Sequence, residues 1–185
     1  TAGAISGAPA YVQGKVGQAM RFSGAGDVVS YPLGQWVDRT RGNIQFWYQP
    51  DWSLAELTAD SASRVLAQLN WGWLLEITKE GKLRHYLVGS GTSNATSGVI
   101  PWRAGQWYFI QAVWGYDGGS SIYLNGQLVA RDSRRSAGIP DGNLSFYVGN
   151  SNKSNAPALG VIDEFILQTD QSKTITVNPA PIRVY

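Results

Sequence analysis

Nine consecutive residues constrain this chain more than any others. From Gln106 to Trp114 (QWYFIQAVW) nearly every side chain is aromatic, β-branched or large, the residue types that fit a pleated surface. The two-residue strand period puts Tyr108, Ile110, Ala112 and Trp114 on one face and Trp107, Phe109, Gln111 and Val113 on the other. A strand with bulk on both faces belongs inside a layered structure, away from a wet edge. Asp117-Gly118-Gly119 then turns the chain, and Ile122 and Leu124 alternate with Tyr123 and Asn125 on the return strand. Asn125-Gly126 is a strong hairpin signal, because a type I′ turn needs φ > 0 at both central residues. The stretch reads as an antiparallel meander.

The rest of the chain continues that pattern. Ala19, Arg21 and Ser23 alternate with Met20 and Phe22, Gly24–Gly26 turns the chain, and Val28, Val29 and Tyr31 form the return strand, while Asn43–Pro50 (NIQFWYQP) is a second strand with bulk on both faces. Arg64–Trp71, Trp73–Thr78, Lys82–Val88, Leu144–Gly149 and Val161–Gln168 read as further strands. Gly89–Gly98, rich in Ser, Thr, Gly and Asn, reads as a loop. One short helix is expected between Asp51 and Ser63, with Ser53 as N-cap and Glu56 completing a capping box. About a dozen strands, spaced about 8 to 15 residues apart, suit two packed sheets. The expected fold class is all-β.

With 185 residues a single core is the default, placed at residues 1–170, with 171–185 as a C-terminal extension or linker. Zero cysteines exclude a disulfide framework and thiol chemistry, so the core alone must supply stability. A formal charge of +2 is too small to suggest nucleic acid, and Arg131, Arg134 and Arg135 read as a solvated loop around Asp132. No apolar run is long enough to span a membrane. The chain starts at Thr1, and the expectation is a processed product or a piece of a longer polypeptide.

Four blocks, in order, resemble the laminin-G-like, concanavalin A-like jelly-roll family. They are GKVGQAMRFSGAGDVVSYP (Gly14–Pro32), NIQFWYQP (Asn43–Pro50), GQWYFIQAVWGYDGGSSIYLNGQLVA (Gly105–Ala130) and the closing pair LSFYVGN…GVIDEFILQ (Leu144–Gln168). The family usually has one more strand ahead of the position of Gly7, where only six residues remain. It ends on a short acidic tail motif where this chain has a Thr/Val/Pro segment. The resemblance implies a jelly-roll β-sandwich of two antiparallel sheets, a fold that hosts lectins, carbohydrate-binding modules, glycanases and adhesion domains, so function must be argued from residues. Relatives often hold calcium. Asp27 and Asp163 match positions that are typically acidic in the family, and Asp117 and Asp141 lie in loops suited to an oxygen-rich site. Their alternative role is capping turns and backbone groups.

Cleaving a glycan needs two carboxyl groups about 5 to 9.5 Å apart across the bond. No Glu-x-Asp-x-Glu cluster of the glucanase type occurs. Asp163 and Glu164 are strand neighbours that should point apart, Glu80 sits at a turn, and the single histidine, His85, lies beside Leu83 and Leu87 as a structural residue would. Binding fits better. Sugars stack their C–H faces on aromatic rings and need short-range hydrogen-bond partners, and this chain has 8 Trp and 9 Tyr. Trp47, Trp107, Tyr123 and Phe165 are expected in the core. Trp36, Trp52, Trp71, Trp73, Trp102 and Tyr116 lie where strands meet loops. With Leu83 and Leu87 turned inward, Arg84 and Tyr86 face out, Gln68 and Asn70 alternate the same way, and Gln111 joins them. The expected glycan site is therefore Gln68, Asn70, Trp71, Trp73, Arg84, Tyr86 and Gln111, with Trp36 at the rim. The sequence reads as a non-catalytic carbohydrate-binding module of a larger secreted or surface protein. The partners are a polysaccharide or glycan and neighbouring domains; the metal candidate is calcium at Asp27 and Asp163. The alternatives are a structural or adhesion module docking a protein on a cell or virus surface, and a glycan-cleaving enzyme. Asn94, Asn143 and Asn152 head Asn-x-Ser/Thr sequons, which are frequent by chance.

Overall fold

A computed structural model describes residues 3–32, 41–69, 72–88, 92–115, 119–134, 145–153, 155–170 and 173–177. Its fifteen strands are β1 (Ala4–Ser6), β2 (Ala10–Gln13), β3 (Gln18–Phe22), β4 (Val28–Pro32), β5 (Arg41–Pro50), β6 (Arg64–Leu69), β7 (Trp73–Ile77), β8 (Lys82–Val88), β9 (Thr92–Val99), β10 (Tyr108–Gly115), β11 (Gly119–Leu124), β12 (Gln127–Asp132), β13 (Ser145–Val148), β14 (Gly160–Asp170) and β15 (Lys173–Val177). They form two antiparallel sheets. Sheet I has the order β1-β4-β13-β6-β7-β8-β9, and sheet II the order β12-β11-β10-β5-β14-β3-β2, with β15 also paired to β14. The non-sequential neighbours are those of a jelly-roll sandwich.

The two strands with bulk on both faces, β5 and β10, pair with each other in the middle of sheet II, from Tyr108 opposite Tyr48 to Gly115 opposite Arg41. Their inner faces supply Ile44, Phe46, Tyr48, Ile110, Ala112 and Trp114 to the core. Sheet I answers with Leu69, Trp73, Leu75, Leu83, Leu87 and Phe146. Rings bridge the layers: Trp73 meets Trp114 with centroids 5.4 Å apart, and Phe146 meets Phe165 at 5.7 Å. Such edge-on and tilted contacts are the favoured aromatic arrangements.

Turn chemistry follows the sequence closely. Asn125 and Gly126 both take positive φ, 49° and 81°, as the type I′ reading requires. The helix α1 (Leu54–Asp60) has the expected capping box, with Ser53 N–H donating to Glu56 and Glu56 N–H donating to the Ser53 hydroxyl. Gly149 combines a φ of 84° with a position where an added Cβ would fall 2.2 Å from the Phe22 ring.

Three expectations are corrected. The Ser/Thr/Asn/Gly stretch read as a loop at Gly89–Gly98 contains β9, an edge strand whose Ser93, Ala95 and Ser97 are buried. A strand does lie ahead of Gly7: β1, paired with β4. Strict alternation in β14 would set Ile162 with Glu164 and Ile166 against Val161, Asp163, Phe165 and Leu167. A bulge between Asp163 and Ile166, with Glu164 at φ 50°, instead puts Ile162 in the core with Phe165 and Leu167, while Glu164 and Ile166 are half-buried. After residue 170, Lys173–Val177 forms β15 and pairs with β14.

Candidate functional site

The outer face of sheet I carries one continuous row of side chains across all seven strands. Cross-strand register links Ala4 to Ser30, Ser30 to Tyr147, Tyr147 to Gln68, Gln68 to Leu74, Leu74 to Tyr86 and Tyr86 to Asn94. Every one of them is exposed or half-buried, whereas their neighbours along the strands are mostly core. Residues opposite one another in a sheet point to the same side, so the row is a single surface. Two residues along, a second row runs from Glu76 to Arg84 to Thr96.

Three of the residues expected from sequence, Gln68, Arg84 and Tyr86, are thus brought together. Each is held. Gln68 accepts a hydrogen bond from the Asn152 N–H at 2.9 Å, which ties the loop after β13 to this face. Arg84 forms an ion pair with Glu76 and places its guanidinium carbon 6.0 Å from the centre of the Tyr86 ring. Burial pushes the Glu76 carboxyl up, with the Arg84 guanidinium pulling against that rise. Thr96 donates to the Asn94 side-chain oxygen at 3.0 Å. Tyr147 and Asn94 were missed as site residues. Their alternation with core neighbours Phe146, Val148 and Ala95 marks them as outward-facing, but only the strand order puts them beside Gln68 and Tyr86.

Other expected members go elsewhere. Trp73 is 1% exposed, packed against His85, Trp114 and Phe146, and from there it stacks on no ligand. Its parity along β7 is that of Leu75 and Ile77, both core residues. Gln111 lies on the outer face of the opposite sheet, where its amide donates to Asn43 at 3.1 Å. Trp52 and Trp102, expected near a rim, are core residues. Conversely, Trp47, Trp107 and Tyr123, expected in the core, are half-buried, whereas Phe165 is core as expected. Trp47 stacks on Phe109 on the outside of sheet II, with centroids 5.1 Å apart, and Lys15 lies over its ring. Trp36, Asn70, Trp71, Tyr116, Asp117, Asp141 and Asn143 lie outside the described residues.

The buried ionisable groups are committed to the fold. His85 is sealed, with Nδ1 2.7 Å from the Ser120 hydroxyl, and burial pushes its pKa down to about 3. Asp132 accepts from the Asn94 backbone N–H and from the guanidinium of Arg134, and that guanidinium holds the carboxyl well below the usual Asp range. Asp27 accepts backbone N–H bonds from Ala8, Ser23 and Gly24; burial raises its carboxyl, but the three donors together hold it below the ordinary value. Asp163 accepts from the Val16 and Glu164 N–H groups. Among the described residues no three His, Cys, Asp or Glu side chains gather as a metal site would need. Asp27 and Asp163 each stand as a single carboxylate, and a calcium ion at either would take its remaining oxygens from backbone carbonyls and water. Their N–H partners fit loop capping better than cation binding.

Residues 22–171 match the laminin G family model described as the concanavalin A-like lectin/glucanases superfamily. The chain belongs to that superfamily. No curated relative matches the sequence. Among solved structures, domain 4 of AbnA, a GH43 extracellular arabinanase from Geobacillus stearothermophilus, was captured in complex with arabinotriose. It superposes with a TM-score of 0.67 at 18% identity, over 94% of this chain and 79% of that one. The binding domain of Paraclostridial Mosquitocidal Protein 1 gives a TM-score of 0.71 at 12% identity, over 91% and 44%. The binding domain of botulinum neurotoxin DC, in complex with SialylT, gives 0.65 at 12% identity, over 91% and 43%. The superfamily member therefore spans less than half the length of these toxin binding domains. At such identities the likeness establishes the shared fold. Among the described residues no helix is long and apolar enough to cross a membrane.

Proposed function

We propose that this superfamily member is a non-catalytic carbohydrate-binding module of a larger extracellular or surface protein, holding a glycan across the outer face of sheet I. The observation that carries the reading is the seven-strand row in which Tyr147, Gln68, Tyr86 and Asn94 share one surface beside Arg84. Rings and amides at strand spacing offer a sugar chain both stacking surfaces and hydrogen-bond partners. Trp36, Asn70 and Trp71 enter the proposed site on sequence grounds. The solved relatives that carry a sugar support the reading by analogy of fold. A non-catalytic role is supported by the placement of the ionisable groups: Glu76 is paired with Arg84, and His85 is out of reach of any substrate. Affinity electrophoresis against a panel of polysaccharides, with Tyr147→Ala and Tyr86→Ala variants, tests it. Retardation by at least one polymer that both variants weaken supports the proposal; uniform migration through every gel removes it.

Calcium is proposed in a structural role only, at Asp27 or Asp163. Thermal melts with calcium and with a chelator decide this, because an ion bound only by the folded state raises the midpoint. Superimposable melts dismiss the ion. The protein-docking alternative has one observation in its favour, the half-buried Trp47–Phe109 pair on sheet II. An oligomer that Trp47→Ala dissolves would favour it.

A further inference from the structure

We propose that Arg84 makes the outer face of sheet I selective for neutral glycans bearing adjacent hydroxyls and unreceptive to acidic ones. This rests on the carbohydrate-binding reading above and names its ligand class. The guanidinium is fixed before any ligand arrives, by its ion pair with Glu76 and by its place beside the Tyr86 ring. Its charge is already compensated. The Glu76 side chain is 6% exposed against 37% for Arg84, so the carboxylate is the deeper partner; Arg84 Nε is itself buried, and the terminal nitrogens are the part of the guanidinium left for a ligand.

An acidic sugar approaching Arg84 would compete with Glu76 for the same fork and bring a second negative charge beside a buried one. Like charges at such range disfavour one another, most strongly where water is scarce. A pair of hydroxyl oxygens meets no such cost. The outward N–H groups of a planar guanidinium suit two acceptors side by side, a geometry that an ammonium does not reproduce. The surroundings add donors: Thr96 occupies the Asn94 side-chain oxygen, which leaves the Asn94 amide N–H groups to donate. Lys82, two residues earlier on the same strand, is the other cation of β8 and lies beside the Glu80 turn.

The test is affinity electrophoresis of the full chain in gels containing arabinan, a neutral β-glucan, polygalacturonate or a sialylated polymer, with melts confirming that each variant is folded. The expected result is retardation by a neutral polymer and none by the acidic ones. Arg84→Lys, which keeps the charge and loses the fork, should weaken neutral binding by about tenfold. Glu76→Gln, which leaves the guanidinium uncompensated, should bring on salt-sensitive retardation by polygalacturonate. Preferred binding of an acidic polymer by the unaltered protein overturns the inference. So does an Arg84→Lys protein that binds as before while Tyr147→Ala does not, and in that case the carbohydrate-binding reading survives. If no polymer retards the protein, the reading itself fails and the selectivity fails with it.

Discussion

The imidazole Nδ1 of His85, from sheet I, lies 2.7 Å from the hydroxyl of Ser120, from sheet II, and both residues are fully buried. Serine and histidine at this distance suggest a nucleophile and its base, but the setting argues otherwise. Nε2 is buried with no hydrogen-bond partner among the described residues, the ring packs edge-on against Trp73 and Trp114, and no substrate can reach the buried hydroxyl. The pair is a polar rivet between the two layers, and burial without a counter-charge favours the neutral imidazole there.

Acid should therefore loosen the sandwich before the carboxylates titrate. The folded imidazole takes its proton near pH 3, whereas the unfolded one does so near 6.5. Above 6.5 both are neutral and the contribution of His85 is fully present. As pH falls below 6.5 the unfolded chain binds the extra proton, and stability drops until the native group also titrates. Between pH 7 and pH 5 the loss from this residue should be roughly 2 kcal/mol. Urea unfolding at the two pH values measures it, and His85→Gln should flatten most of the difference. An equal pH response in that variant would mean that other groups are responsible.

Asp27 should matter for stability through its three backbone donors. Replacing it by Ala leaves the N–H groups of Ala8, Ser23 and Gly24 without their acceptor, for an expected cost of about 2–3 kcal/mol. Chemical denaturation gives the number. A change below about 0.5 kcal/mol would indicate that water replaces the carboxylate at no cost.

Two glycines with similar φ should respond differently to alanine. Gly105, at φ 74°, has open space where a Cβ would go, so Gly105→Ala should cost only the backbone strain, about 1–2 kcal/mol. Gly149 carries a similar strain and also faces the Phe22 ring. Gly149→Ala should lower the melting temperature by clearly more than Gly105→Ala, and equal shifts would contradict the packing at Phe22.

Tyr147 and Trp73 should separate binding from folding. Removing about 50 Å² of ring contact from a half-buried Tyr147, at about 25 cal/mol/Å², costs about 1.3 kcal/mol of binding, or about tenfold in Kd. Its melt should change little by comparison. Trp73→Ala empties a core site and should cost about 3–5 kcal/mol of stability. Isothermal titration calorimetry beside thermal melts distinguishes the two. A stable Trp73→Ala protein with selectively lost binding would place that ring at the ligand instead.

The fold was legible because residue volume and the two-residue period carry it. β5 and β10 announce a central position through bulk on both faces, and the turns announce themselves through Asn125-Gly126 and the Ser53 cap. β9 was not legible, since an edge strand facing solvent with Thr, Asn and Gly looks like a loop. In β14 the relation of Ile162 to Phe165 and Leu167 was not legible, because one inserted residue exchanges the faces on its two sides. The site was legible by halves. Parity gave Gln68, Arg84 and Tyr86 their outward direction, but it gives Gln111 the same direction on its own strand. Which sheet a strand joins is a long-range property, and no local pattern contains it.

One edge of β14 is shared end to end by two neighbours, β3 along Gly160–Ile162 and β15 along Phe165–Asp170. A chain cut after residue 172 would keep the first neighbour and lose the second, uncapping the peptide groups beside Ile166 and Leu167. Bare strand backbone of that kind recruits other chains. Trimming the last thirteen residues as dispensable would thus open a strand edge in the middle of sheet II and make the protein prone to stack on its own copies.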